Sequence, residues 1–128
     1  MGEAGVWSHA RRILCVRLDT IGDVLMTTPA MRALRESLPG RYITLLTSPG
    51  GHQVARLVPE IDRVVVYEAP WMKASEPRLD SVRDRVMVEV LRRAGFDGAV
   101  IFTVYSQSAL PAALLCYLAD IPLRLAYC

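Results

Sequence analysis

Apolar positions along this chain alternate between short unbroken runs and longer spaced patterns. Ile13-Leu14-Cys15-Val16-Arg17-Leu18 is almost uninterrupted, the pattern of a central parallel strand covered on both faces. Residues 42–47, 61–67 (with Val64-Val65-Val66), 99–104 and 122–127 read as four further strands. Between the first two runs, Val24, Met31, Leu34 and Leu38 recur at helical spacing, and Pro39-Gly40 stops the helix. Pro29 lies inside that pattern, which predicts a kink or a restart capped by Thr28. A short helix is expected through Val54, Leu57 and Val58.

Pro77 suits the first turn of a further helix whose buried stripe is Leu79, Val82, Val86 and Val90, with Gly95 closing it. Residues 108–119 form a helix with almost no polar face, expected to be buried nearly all round. Strand and helix alternate from the first strand to the fifth. The right-handed crossover rule turns that order into an α/β fold with a doubly wound, Rossmann-like parallel sheet. Residues 1–11 read as a loose N-terminal extension and 12–128 as one domain. The alternation leads one to expect a covering helix after the fifth strand, so the chain looks truncated there.

Composition sharpens this picture in two ways. At 52% hydrophobic residues and a mean hydropathy of +0.27, the chain sits above the soluble-domain norm of about 45–50% apolar. That fits a sheet buried on both faces, or a missing partner surface. Fifteen Lys and Arg against thirteen Asp and Glu leave a net charge of +2, so no overall field favours nucleic acid, and any anion site must be local. Cys15, Cys116 and Cys128 have neither an even count nor metal-ligand spacing, and read as reduced thiols in a cytoplasmic protein. No secretory leader is evident, and no apolar run approaches the roughly 18 residues of a membrane span.

In doubly wound sheets, ligands sit outside the C-terminal ends of the strands. Leu18-Asp19-Thr20-Ile21-Gly22-Asp23-Val24 follows the first strand. Gly22 lets backbone approach a ligand, and helix N-terminal amides there favour an anion and keep Asp23 charged. Asp23 can take a proton from an attacking hydroxyl, or it can simply complement the helix, and spacing alone leaves both readings open. Arg17 is open in the same way, as an anion-binding group or as a strand-end charge. Ser48-Pro49-Gly50-Gly51 lacks the lysine of a phosphate-binding loop and reads more simply as a turn. Ser106, Gln107 and Ser108 offer hydroxyls and an amide at the fourth strand's exit, with helix capping the alternative for Ser108. Trp71, Met72 and Lys73 combine an aromatic, a soft apolar chain and a cation on one loop, which suits a lipid-linked ligand or a satellite hydrophobic cluster. No metal site is expected.

The order of residues from Ile13 to Ala30, with Gly22-Asp23-Val24 at its centre, resembles the opening of glycosyltransferase family nine, the lipopolysaccharide heptosyltransferases. Similar stretches are 43–47, Val58-Pro59-Glu60-Ile61-Asp62-Arg63-Val64, Phe96-Asp97, and 106–113 through 121–124. The resemblance implies the N-terminal, acceptor-side half of a GT-B enzyme, with Asp23 as catalytic base. It also implies Arg17, Thr20, Gly22, Ser106 and Gln107 around an acidic acceptor, either lipid-linked or part of the lipopolysaccharide core. It implies an inverting transfer from a nucleotide sugar, ADP-heptose by analogy, bound by a C-terminal domain absent here. This stretch alone would hold no cofactor and be inactive; peripheral contact with the inner membrane is a further implication. Met26 stands where many relatives carry His, and Asp120 where they often carry Gly, a place Asp can fill in the left-handed conformation. The rival readings are a non-catalytic sugar- or nucleotide-binding module and a phosphoacceptor receiver domain.

Overall fold

A computed structural model describes residues 2–18, 21–72, 76–104 and 107–127, apart from the side chains of 2–4 and 21. Five parallel strands, β1 (Arg12–Arg17), β2 (Tyr42–Thr47), β3 (Arg63–Val66), β4 (Gly98–Phe102) and β5 (Leu123–Tyr127), form one sheet in the order β3-β2-β1-β4-β5. The helices are α1 (Gly2–Trp7), α2 (Ile21–Met26), α3 (Thr28–Ser37), α4 (Pro49–Ala55), α5 (Val82–Ala94) and α6 (Leu110–Leu118). The chain steps outward from β1 to β3, then jumps back across the sheet to β4. Right-handed crossovers therefore send α2, α3 and α4 to one face and α5 and α6 to the other.

Each face has its own core. Val24, Met31 and Ala55 pack with Ile13, Cys15, Ile43 and Leu45 on one side. Leu91, Leu115 and Cys116 pack with Leu14, Val16, Leu46 and Ile101 on the other. β1 is paired on both edges, with Val16 opposite Leu46 and Ile101, and covered on both faces, as its unbroken apolar run predicts. The strand order also disposes of the receiver reading, because that fold runs 2-1-3-4-5.

Several expectations are corrected. The helix after β1 does restart at Pro29, but Thr27, not Thr28, holds the cap position. Thr27 keeps helical angles (φ −87°, ψ −8°), so its hydroxyl donates back to the Val24 carbonyl at 2.6 Å instead of accepting an amide. The helix expected from Pro77 starts at Val82, with the Asp80 carboxylate accepting the Val82 amide at 3.1 Å. The stripe Leu79, Val82, Val86, Val90 faces solvent, while Leu91 is buried with Met87, Val88 and Ala94 against the sheet. Apolar residues run almost round α5, so periodicity admits two rotations. Asp84 decides between them by accepting the hydroxyl of Tyr67 at 2.7 Å. On α6, only Ala112, Leu115 and Cys116 are buried, and its outer face is exposed.

The N-terminal segment is not loose throughout. The Trp7 ring occupies the place a side chain at 98 would take, since a Cβ on Gly98 would meet it at 2.6 Å. Buried Arg41 donates to the carbonyls of Trp7 (2.7 Å), Ala10 (2.8 Å) and Leu34 (2.9 Å), tying segment 7–10 to α3 and β2. Two carboxylates pin strand entrances in the same manner. Asp97 accepts the amides of Arg11 and Arg12 at 2.9 Å each, and Asp62 accepts the Ile43 amide at 2.8 Å while pairing both nitrogens of Arg35. Gly95 and Asp120 close α5 and the α6 turn in the left-handed conformation, φ 69° and 59°, as anticipated for both.

Gly51 is fixed by space. A Cβ there would lie 2.2 Å from the Thr47 hydroxyl and 3.0 Å from Val24, so α4 reaches β2 and α2 only without a side chain. Gly51→Ala is expected to destabilise the fold by about 2 kcal/mol in chemical denaturation. Hydrogen bonding to Arg35 holds the Asp62 carboxyl below its ordinary value of 3.8. Its stabilising contribution is complete above that value and disappears as pH falls through the lower folded one. Urea midpoints followed into acid should thus fall less steeply for Asp62→Asn than for the native chain, from a lower neutral starting point.

Candidate active site

The two crossover directions diverge at the C-terminal ends of β1 and β4, and a cleft opens there, as the topology requires. It has a volume of about 890 Å³. Val16 of β1, Leu18 just after it, and Ile101 and Phe102 of β4 form its apolar floor. Asp23 from α2 and Ser48-Pro49-Gly50, the cap and first residues of α4, form one wall. Tyr67, Glu68, Ala69, Trp71 and Met72, between β3 and α5, form another, and Thr103, Val104, Gln107, Ser108, Pro111 and Ala112 close the β4–α6 side.

Of the six residues singled out from the sequence, Asp23 and Gln107 stand on the cleft wall. Arg17 ends β1 buried, and its guanidinium meets the Asp23 carboxylate at 3.1 Å. The pair explains how a charged strand-end residue can be buried at all: each ion supplies part of what water would have given the other. Gly22 is exposed on α2, and the structure brings it to no cleft wall. Thr20 and Ser106 lie outside the described residues.

The hydroxyls of the two candidate serine turns are engaged locally. Ser48 caps α4 by accepting the Gly51 amide at 3.2 Å, so residues 49–51 are the first turn of a helix and not a separate turn. Ser108 accepts the Leu110 amide at 3.1 Å from one residue before the cap position of α6, which Ala109 holds. Trp71 and Met72 pack onto the core from the cleft side, with Trp71 edge-on to Tyr67 at 5.9 Å between centroids.

Nothing in local spacing announces the network behind that wall. Tyr67 donates to Asp84, and Arg78 reaches both Asp84 and the Glu68 carbonyl, stacking near the Tyr67 ring. Burial raises the Tyr67 phenol, aided by Asp84, so it remains a donor. These residues come from the segment between β3 and α5 and from α5 itself, and no local periodicity links them. Burial likewise pushes the Cys15 thiol up to about 12, consistent with an inert core position. Cys116 is similarly buried and pushed up to about 12, and Cys128 lies outside the described residues. Among the described residues, no three His, Cys, Asp or Glu side chains gather into a metal-binding group.

No protein-family model matches this chain, and no curated protein does. Among solved structures, it is similar to the E. coli ADP-heptose lipopolysaccharide heptosyltransferase II, with a TM-score of 0.70 and 20% identity over 90% of this chain and 30% of that one. It is also similar to a glycosyl transferase family 9 protein from Veillonella parvula, with a TM-score of 0.67 and 23% identity over 91% of this chain and 32% of that one. The chain thus spans about a third of the length of either structure. What these likenesses establish is the architecture: this chain has the fold of the N-terminal half of GT-B heptosyltransferase structures.

Proposed function

We propose that this chain is the acceptor-side domain of an inverting glycosyltransferase that moves a heptose or related sugar from a nucleotide donor to an acidic, lipopolysaccharide-type acceptor. The observation that carries the reading is a carboxylate, Asp23, on the wall of an open cleft at the sheet's switch point, with a buried arginine 3.1 Å away. The fold shared with two glycosyltransferases supports it, and so does the order of residues around Gly22-Asp23-Val24.

In this reading, the acceptor's hydroxyl points at Asp23. As its oxygen bonds to the anomeric carbon of the donor, the bond from that carbon to the diphosphate breaks and the electron pair leaves on the diphosphate. The hydroxyl proton passes to the Asp23 carboxylate. Arg17 is a positioning residue: it fixes the carboxylate's orientation from the protein side. Trp71 offers a face for a sugar ring, and Gln107 a side-chain amide for its hydroxyls. The nucleotide sugar, ADP-heptose by analogy, would be held by a second domain facing the strand ends, and the reaction would take place in the cytoplasm. The domain alone would be inactive.

Asp23→Asn keeps the shape and removes the proton acceptor. In the complete protein that carries this domain, kcat for transfer to a core acceptor should fall by about 10² to 10⁴. Acceptor binding, followed through Trp71 fluorescence in a Trp7→Phe background, should persist. Unimpaired transfer would remove Asp23 as base; acceptor binding with no transfer by the native protein, whatever donor is offered, would leave a sugar-binding module.

A further inference from the structure

After β3 the chain leaves the sheet and builds one wall of the cleft. Tyr67 still belongs to the ladder, its amide donating to the Thr47 carbonyl at 2.8 Å. The Met72 amide donates to the Ala69 carbonyl at 3.2 Å, a turn that places Trp71 and Met72 in the cleft lining. Segment 69–77 is closed at its neck by Arg78. That guanidinium donates to the Glu68 carbonyl on one side of the segment and to the Asp84 carboxylate, in the first turn of α5, on the other.

The same two charges hold the aromatic part of the wall. Arg78 lies over the Tyr67 ring at 5.9 Å, and the Tyr67 hydroxyl donates to Asp84 at 2.7 Å. Tyr67 in turn meets Trp71 edge-on. Tyr67, Glu68 and Trp71 line the cleft, while Arg78 and Asp84 stand behind them. The Arg78 and Asp84 side chains are only 12 and 22% exposed, and the Arg78 Nε–H is buried without a partner among the described residues. A guanidinium withdrawn from water with one donor unmet is a poor source of stability, and an apolar side chain could fill the same place at less cost. An apolar chain could not hold a carbonyl, a carboxylate and an aromatic face in one fixed arrangement.

We propose that Arg78 is a positioning residue for acceptor recognition: with Asp84 it braces the wall on which Glu68 and Trp71 meet the acceptor sugar. The identity of that ligand rests on the transfer reading above. Glu68 accepts sugar hydroxyls and Trp71 packs on a ring face, and both depend on a segment whose neck Arg78 closes. Asp23 has a support of its own, in α2 and the pair with Arg17. Loss of the brace therefore reaches acceptor binding and leaves proton transfer in place. Binding that is equal in ground state and transition state shows in KM and not in kcat.

In the complete protein, Arg78→Met, which keeps the chain length and the contact with the Tyr67 ring, should raise KM for a lipopolysaccharide core oligosaccharide about tenfold while kcat stays within about threefold. Arg78→Lys, able to pair with Asp84 but not to fork onto the Glu68 carbonyl as well, should recover part of that loss. The wall can also be followed without turnover. In the purified chain carrying Trp7→Phe, where Trp71 is the remaining tryptophan, acrylamide quenching should rise on Arg78→Met with circular dichroism unchanged. Tyr67→Phe, which loses only the bond to Asp84, should move KM and quenching in the same direction, and carries the test if Arg78→Met does not fold. An unchanged KM, a loss confined to kcat, or unchanged quenching would overturn the proposal. If the native protein transfers no sugar, the transfer reading fails by itself. Quenching, and oligosaccharide binding followed through Trp71, then decide whether Arg78 braces the wall.

Discussion

The structure depends on the complete burial of β1. Ile13 to Val16 are at most 1% exposed, hydrogen-bonded to strands on both edges and covered by helices on both faces. A strand in that position cannot carry a polar side chain through its covered middle, so its charges fall at its two ends, Arg12 where it enters and Arg17 where it leaves. The crossovers part company beside Arg17, and the central strand thus delivers the chain to the point on the rim where the two sets of helices diverge and the cleft opens.

Charge then locks the strands into position. Asp97 at the entrance to β4 holds two amides at the start of β1, and Asp62 before β3 holds the Ile43 amide of β2 together with Arg35. Each carboxylate therefore ties a strand to its neighbour's beginning, at the end of the sheet opposite the cleft. Phe96-Asp97 and the Pro59 to Val64 stretch belong to the resemblance noted in the sequence, yet their work is architectural. A family likeness carried by such residues speaks for the fold, while a likeness carried by Gly22-Asp23-Val24 bears on the site.

This division explains what could be read in advance. Strand identity, sheet direction and the interruption near Pro29 were legible because each is set locally, by unbroken apolar runs and by one missing amide. The left-handed Asp120 was legible through the resemblance, since relatives often carry Gly at that place. The rotation of α5 was not: Val82, Val86 and Val90 form as good a stripe as Met87, Leu91 and Ala94, and the choice rests on Asp84 meeting Tyr67 from another element. The entry of Trp7 against Gly98 was hidden likewise, since it requires knowing that a glycine begins β4 beneath α1. At the site, Asp23 was placed correctly on the rim, but its partner was invisible, because nothing in spacing says that Arg17 folds back onto it.

The polar groups of the cleft also limit what it can hold. Among the described residues, Asp23 and Glu68 both line the cleft, Ser48 and Ser108 accept helix amides, and Arg17 is paired with Asp23. Such a lining repels phosphate oxygens and offers them little in return. It accepts hydroxyl groups well, and the aromatic and aliphatic surfaces of Trp71, Met72 and Val104 suit the faces of a sugar ring. In the proposed reaction, a diphosphate donor would have its charge neutralised from across the opening, and an acidic acceptor would enter with its hydroxyls leading. On that proposal the domain would supply the half of the transfer in which a sugar hydroxyl is oriented and relieved of its proton.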